Sequence, residues 1–178
     1  TAFSVRVSGG KAPYSYEWFA AMDTSSDKYW FSCNDGDLTD LSGVLSDRLT
    51  AAVDASTILL FYRCEITDAA GSKVTSQPVR IKLANADVFA ENPQNVTLRG
   101  RNEIVSTHVT LQDWCANALP SYKWQYRASA DSEWQDCTSE RFFGADTEEL
   151  SFCDSGTYDM KGCSFRCAVT LWGANTMY

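Results

Sequence analysis

The sequence predicts an all-β chain built as two similar sandwich domains in tandem. Three observations carry this. A heptapeptide, Phe61-Tyr62-Arg63-Cys64-Glu65-Ile66-Thr67, returns near the end of the chain as Ser164-Phe165-Arg166-Cys167-Ala168-Val169-Thr170. Both copies alternate apolar and polar residues at period two, the mark of a strand with one buried face. Turn signals separate short strands every ~8–12 residues, and no helical periodicity competes with them.

The first domain is expected over 1–85. Phe3, Val5 and Val7 alternate with Ser4, Arg6 and Ser8, and Gly9-Gly10 with Pro13 make a turn. Tyr14 to Phe19 follows as an aromatic-rich strand, with Tyr29 to Cys33 as a shorter one. Leu45 to Val53 reads as a further strand, then the heptapeptide. Asp68 to Ser72 is a hairpin turn, and Val74 to Leu83 returns as a last strand. Pro78 suits an edge or a bulge there.

The second domain, 86–178, repeats the order after a short linker at 84–87. Strands are expected over Val88–Asn95, Ile104–Leu111, Tyr122–Tyr126, Trp134–Cys137 and Leu150–Phe152, followed by the second heptapeptide. Trp18 matches Trp124, Trp30-x-x-Cys33 matches Trp134-x-x-Cys137, and Cys64 matches Cys167. Landmarks in one order at nearly one offset are an internal repeat. The first domain is expected to lack an opening strand and the second a closing one.

Composition narrows the function classes. The 178 residues carry a net charge of −8 and 13% aromatics, enough for two folded cores. The second half, with 7 Lys/Arg against 13 Asp/Glu, is the more acidic, and no basic stripe is present. This argues against nucleic acid as a partner. No apolar run approaches the ~18 residues of a spanning helix, so no membrane insertion is expected of this stretch.

"VSGGKAPYSYEWF", "FYRCEITDAAGSKVTS", "YKWQY…WQDC" and "SFRCAVT" together resemble the tandem immunoglobulin-like repeats of bacterial cell-surface proteins. The resemblance covers both halves. It implies two tandem immunoglobulin-like β-sandwich domains in an extracellular, bacterial surface-protein segment. Such repeats serve as stalks and as adhesin modules. The implied partners are other domains of the same protein, and a host or bacterial protein or glycan for an adhesin. A filament subunit completed by a neighbour's strand is a further reading. The sequence departs from the usual pattern where an immunoglobulin bridge needs its first cysteine, since Val5 and Val7 occupy that strand. Asp154 to Tyr158 imitates a tyrosine corner without the cysteine two residues on, so the corner is expected only at Tyr62.

Seven cysteines with one histidine and no C-x-x-C pair favour disulfides over a metal site. The repeat pairs Cys33 with Cys64 and, by register, Cys137 with Cys167. Each bridge closes about 30 residues, for roughly 3–4 kcal/mol in the chain-entropy model. Cys153 and Cys163 form the third expected pair, at one end of the second domain. Cys115 is left over, as a buried inert thiol or one bridged outside this stretch.

No catalytic constellation is visible, and enzyme activity and cofactors are not expected. His108 lies on the polar phase of its strand, opposite Val109. Glu148-Glu149 is a carboxylate cluster, but a glycosidase needs two carboxylates facing one cleft, which small sandwiches rarely offer. Asn34-Asp35-Gly36-Asp37 with Asp40 offers oxygen ligands for Ca²⁺ but not at EF-hand spacing, and a solvated turn is the expectation. Trp114 and Trp172 fall on turns at one end of the second sandwich. They are expected either to pack between the domains or to contact a ligand.

Overall fold

The computed structural model describes every residue except 37, 101, 139, 154–159 and 173–175. The chain divides into two compact units, Thr1–Lys82 and Leu83–Tyr178. Each is an immunoglobulin-like sandwich of antiparallel sheets.

In the first unit the strands are β1 (Ala2–Ser4), β2 (Ser15–Ala21), β3 (Phe31–Ser32), β4 (Leu41–Ser42), β5 (Arg48–Ala51), β6 (Phe61–Thr67), β7 (Lys73–Thr75) and β8 (Val79–Arg80). One sheet has the order β1-β5-β4, and the other β3-β2-β6-β7 with β8 also on β6. The heptapeptide is β6, at the centre of the larger sheet. Its Tyr62, Cys64 and Ile66 are buried, as period-two alternation requires. Cys64 pairs with Trp18 and Tyr62 with Ala20, and these two, like Leu49 and Ala51 of β5, are buried.

Several elements are shorter than the alternation suggests. The expected strand over Tyr29–Cys33 opens instead as a 3₁₀ turn, Asp27–Tyr29. The expected Val74–Leu83 strand is split into β7 and β8, with Pro78 in the break. The Ser76 hydroxyl accepts a bond from the Cys64 N–H at 3.0 Å at that break. Proline cannot donate to the ladder, so the strand yields there.

In the second unit the strands are β9 (Phe89–Glu91), β10 (Ile104–His108), β11 (Thr110–Leu111), β12 (Ser121–Arg127), β13 (Gln135–Asp136), β14 (Phe142–Phe143), β15 (Glu149–Cys153), β16 (Ser164–Thr170) and β17 (Thr176–Met177). The sheets run β10-β15-β14 and β13-β12-β16-β17, with β11 pairing β9. The segment expected as a linker is folded into this unit. Asn85–Val88 forms one helical turn, Ala84 N–H donates to Asp87 Oδ2 at 2.8 Å, and Val88 is buried. A short strand after β16 is also present: Val169 pairs Met177 and Thr170 pairs Thr176 in β17. The Asp154–Tyr158 segment lies outside the described residues.

Candidate functional site

The two units share an internal arrangement centred on Trp18 and Trp124. Trp18 pairs with Cys64 across β2 and β6, and its carbonyl accepts the Cys33 N–H at 2.9 Å on the other side. In the second unit Trp124 pairs with Cys167, and its carbonyl accepts the Cys137 N–H at 3.0 Å. Each row therefore reads cysteine, tryptophan, cysteine across three adjacent segments of its sheet. This corrects the expected bridges Cys33–Cys64 and Cys137–Cys167. The tryptophan strand stands between the partners and puts their backbones about two strand spacings, roughly 10 Å, apart. A disulfide needs its Cα atoms within about 7 Å.

Cys33, Cys64, Cys115, Cys137 and Cys167 are instead buried, unbridged thiols. Burial pushes Cys33 and Cys137 up to about 12, and Cys64, Cys115 and Cys167 up to about 11. Desolvation of the thiolate is the leading cause in each. The third expected bridge is not made either. Cys153 is unbridged and takes the outward phase of β15, opposite the exposed Ile104. Cys163 lines a cavity of about 680 Å³ with Phe152 and Phe165.

Each indole also ties its sheet to the turn before the opposite sheet's middle strand. Trp18 Nε1 donates to the Ser46 carbonyl and Trp124 Nε1 to the Thr147 carbonyl, both at 2.9 Å. The turns match: Ser46 N–H and Thr147 N–H donate back to Gly43 and Gly144 at 2.9 and 3.0 Å. Gly43 and Gly144 have φ of +76° and +74°, and a Cβ there would lie 2.1 and 2.2 Å from the Arg48 and Glu149 carbonyl oxygens. Only glycine fits. Sequence reasoning missed these turns, although Gly-x-x-Ser and Gly-x-x-Thr, each with a leucine three residues further on, were a readable signal.

The other two motif tryptophans brace the sheet exteriors. Arg63 lies 4.3 Å over the Trp30 ring and pairs with Asp27 at 2.6 Å. Arg166 lies 4.3 Å over Trp134 and 4.0 Å over Tyr178, with Arg127 also over Trp134 at 4.6 Å. These are cation–π contacts that cover the aromatic faces.

Trp114 and Trp172 have different roles. Trp114 is half-buried on a 3₁₀ segment, Asp113–Ala118, and its Nε1 donates to the Asp87 carbonyl at 3.1 Å. It braces its own unit. Trp172 is 62% exposed, and its N–H donates to the Ala118 carbonyl at 3.0 Å. That bond sets the Trp172 backbone against Ala118, next to Leu119, which is 73% exposed. Leu119 also has φ of +48°, uncommon for a branched side chain. Nothing in the local sequence signals Leu119. Both are among the exposed large apolar side chains of the second unit's described residues.

The titratable candidates are solvated. His108 Nε2 sits 3.5 Å from Glu91 Oε2, with both side chains more than half exposed. Its strand partner is Glu149. A cavity of about 620 Å³ is lined by His108, Tyr122, Glu148 and Glu149. The neighbouring Asp54 carboxyl raises Asp40 above its ordinary value. Burial pushes Asp54 upward, but bonds from Ser56 and Thr57 outweigh it and hold the group low. Asp37 lies outside the described residues. Among the described residues no group of three His, Cys, Asp or Glu side chains is placed to hold a metal.

Searches for relatives found no matching family model and no matching curated protein. Among solved structures, Drosophila OTK extracellular domains 3–5 matches at 15% identity with a TM-score of 0.33, over 99% of this chain. The chain spans 58% of that structure's length.

Proposed function

We propose that the chain is a non-catalytic spacer, two tandem immunoglobulin-like domains of an extracellular surface protein, with other domains of that protein as partners. The bacterial surface is the setting its sequence resemblance implies. One observation carries the reading. Both units place the same residue types in the same internal contacts: the Cys-Trp-Cys row, the indole-to-turn bond and the arginine over the outer tryptophan. Such repetition serves the stability of a module rather than a reaction. Protease shaving of intact cells tests it. Release of peptides from this chain at the cell surface supports an exterior spacer; release only after lysis overturns it.

A second reading is favoured by the exposure of Trp172 beside Leu119. In it the second unit is an adhesin module that grips a protein or a glycan through this end. Binding on a glycan array, or to a surface protein in pull-down, that disappears on Trp172→Ala supports it. Binding unchanged by that substitution sinks it.

A further inference from the structure

We propose that Asn95 is an acceptor for N-linked oligosaccharide, an inference that rests on the extracellular part of the reading above and not on its bacterial setting. Asn95-Val96-Thr97 is the N-x-[ST] acceptor pattern, with no proline at its centre. The pattern alone is common, and its placement gives it weight. Residues 92–99 belong to no strand or helix, so the acceptor backbone is not committed to a ladder. Asn95 and Thr97 are both exposed, while Val96 and Leu98 between and beyond them are half-buried. Alternation holds the segment against its unit through the two apolar residues. It leaves the amide and the hydroxyl facing solvent. The Thr107 hydroxyl donates to the Gln94 carbonyl at 3.1 Å and fixes the segment beside β10.

The transfer needs a polyisoprenyl-diphosphate-linked oligosaccharide and an oligosaccharyltransferase on the far side of the membrane that an exported chain crosses. The Asn95 Nδ2 forms a bond to the sugar's anomeric carbon. The bond from that carbon to the diphosphate breaks, the lipid diphosphate leaves, and the amide nitrogen gives up one proton. The Thr97 hydroxyl is the recognition element two residues on. A glycan here would stand beside β10, whose pairing among the described residues is with β15 alone. It would shield that edge from pairing with other chains.

The test is secretion of the whole chain behind a heterologous leader from a eukaryotic cell. The secreted protein is then treated with peptide N-glycosidase in heavy-oxygen water and mapped by mass spectrometry. The expected result is a glycosidase-sensitive mass increment, with Asn95 converted to labelled Asp. Asn95→Gln and Thr97→Ala abolish it and Thr97→Ser retains it. Secreted chain with Asn95 unmodified throughout overturns the proposal, as does an increment that survives Asn95→Gln. Because the leader is supplied, failure of the extracellular reading in cell shaving leaves this outcome unaffected, and the two failures are distinguishable.

Discussion

The indole nitrogen of Trp18 and the carbonyl of Ser46 are joined at 2.9 Å, linking one sheet of the first unit to the turn that feeds the other. The Trp18 N–H adds a second bond to the same turn, to the Val44 carbonyl at 3.0 Å. Trp124 repeats both, to Thr147 and Ala145. Phenylalanine at Trp18 or Trp124 removes the indole donor and leaves a void. Each substitution should cost about 2–4 kcal/mol, the sum of a lost buried bond and a cavity. Urea unfolding of the single and double variants measures it.

The turns that receive those bonds should tolerate alanine poorly. Gly43→Ala and Gly144→Ala each set a methyl group against a backbone carbonyl at positive φ. A loss of at least about 2 kcal/mol is expected for each. Gly71→Ala is the control: φ is +85° but the space around it is open, so only the backbone preference, about 1 kcal/mol, is lost. Equal losses at all three would show that the carbonyl contact is unimportant.

Tyr62 forms the expected corner. Its buried hydroxyl donates to the Thr57 carbonyl at 3.1 Å, on the short 3₁₀ segment Thr57–Leu59. Tyr62→Phe should lower stability by about 1 kcal/mol. At the matching position of the second unit Phe165 has no hydroxyl to donate and stacks on Phe152 at 4.4 Å. Phe165→Tyr should therefore not be stabilising, a point thermal melting can check.

The buried thiols give a pH dependence of fixed sign. Burial raises the folded-state value of Cys33, to about 12, and of Cys64, to about 11, above the ordinary thiol value. The folded chain then holds protons that the unfolded chain releases. Stability from this source is full below about pH 8.5, the value of an exposed thiol, and falls as pH rises towards 11–12. Cys64→Ala should flatten the alkaline limb of a melting-temperature profile. At neutral pH a thiol reagent should label these residues only after denaturant is added, and a reductant should leave the melting temperature unchanged.

The fold was legible in the sequence because period-two alternation and the repeated landmarks are local signals. The tyrosine corner was legible too, since Tyr62 two residues before Cys64 names its own geometry. The disulfides were misread for a physical reason. Register shows that Cys33 and Cys64 share a face and a row, but not which strand lies between them. That depends on sheet order, which no local pattern contains. Trp114 and Trp172 looked alike as turn aromatics. They differ because Asp87, 27 residues before Trp114, offers a carbonyl that only the folded chain brings near. Leu119 went unnoticed because a leucine ahead of a proline carries no hint of positive φ.

The cysteine-tryptophan-cysteine row makes oxidation and folding mutually exclusive for those pairs. A bridge from Cys33 to Cys64 is open to the relaxed chain and closed to the native sheet. An oxidant that leaves the native protein untouched would thus capture each transiently opened unit and keep it from closing again. Under repeated stretching in air, the chain would accumulate lengthened units, a mechanical fatigue that a reductant would reverse.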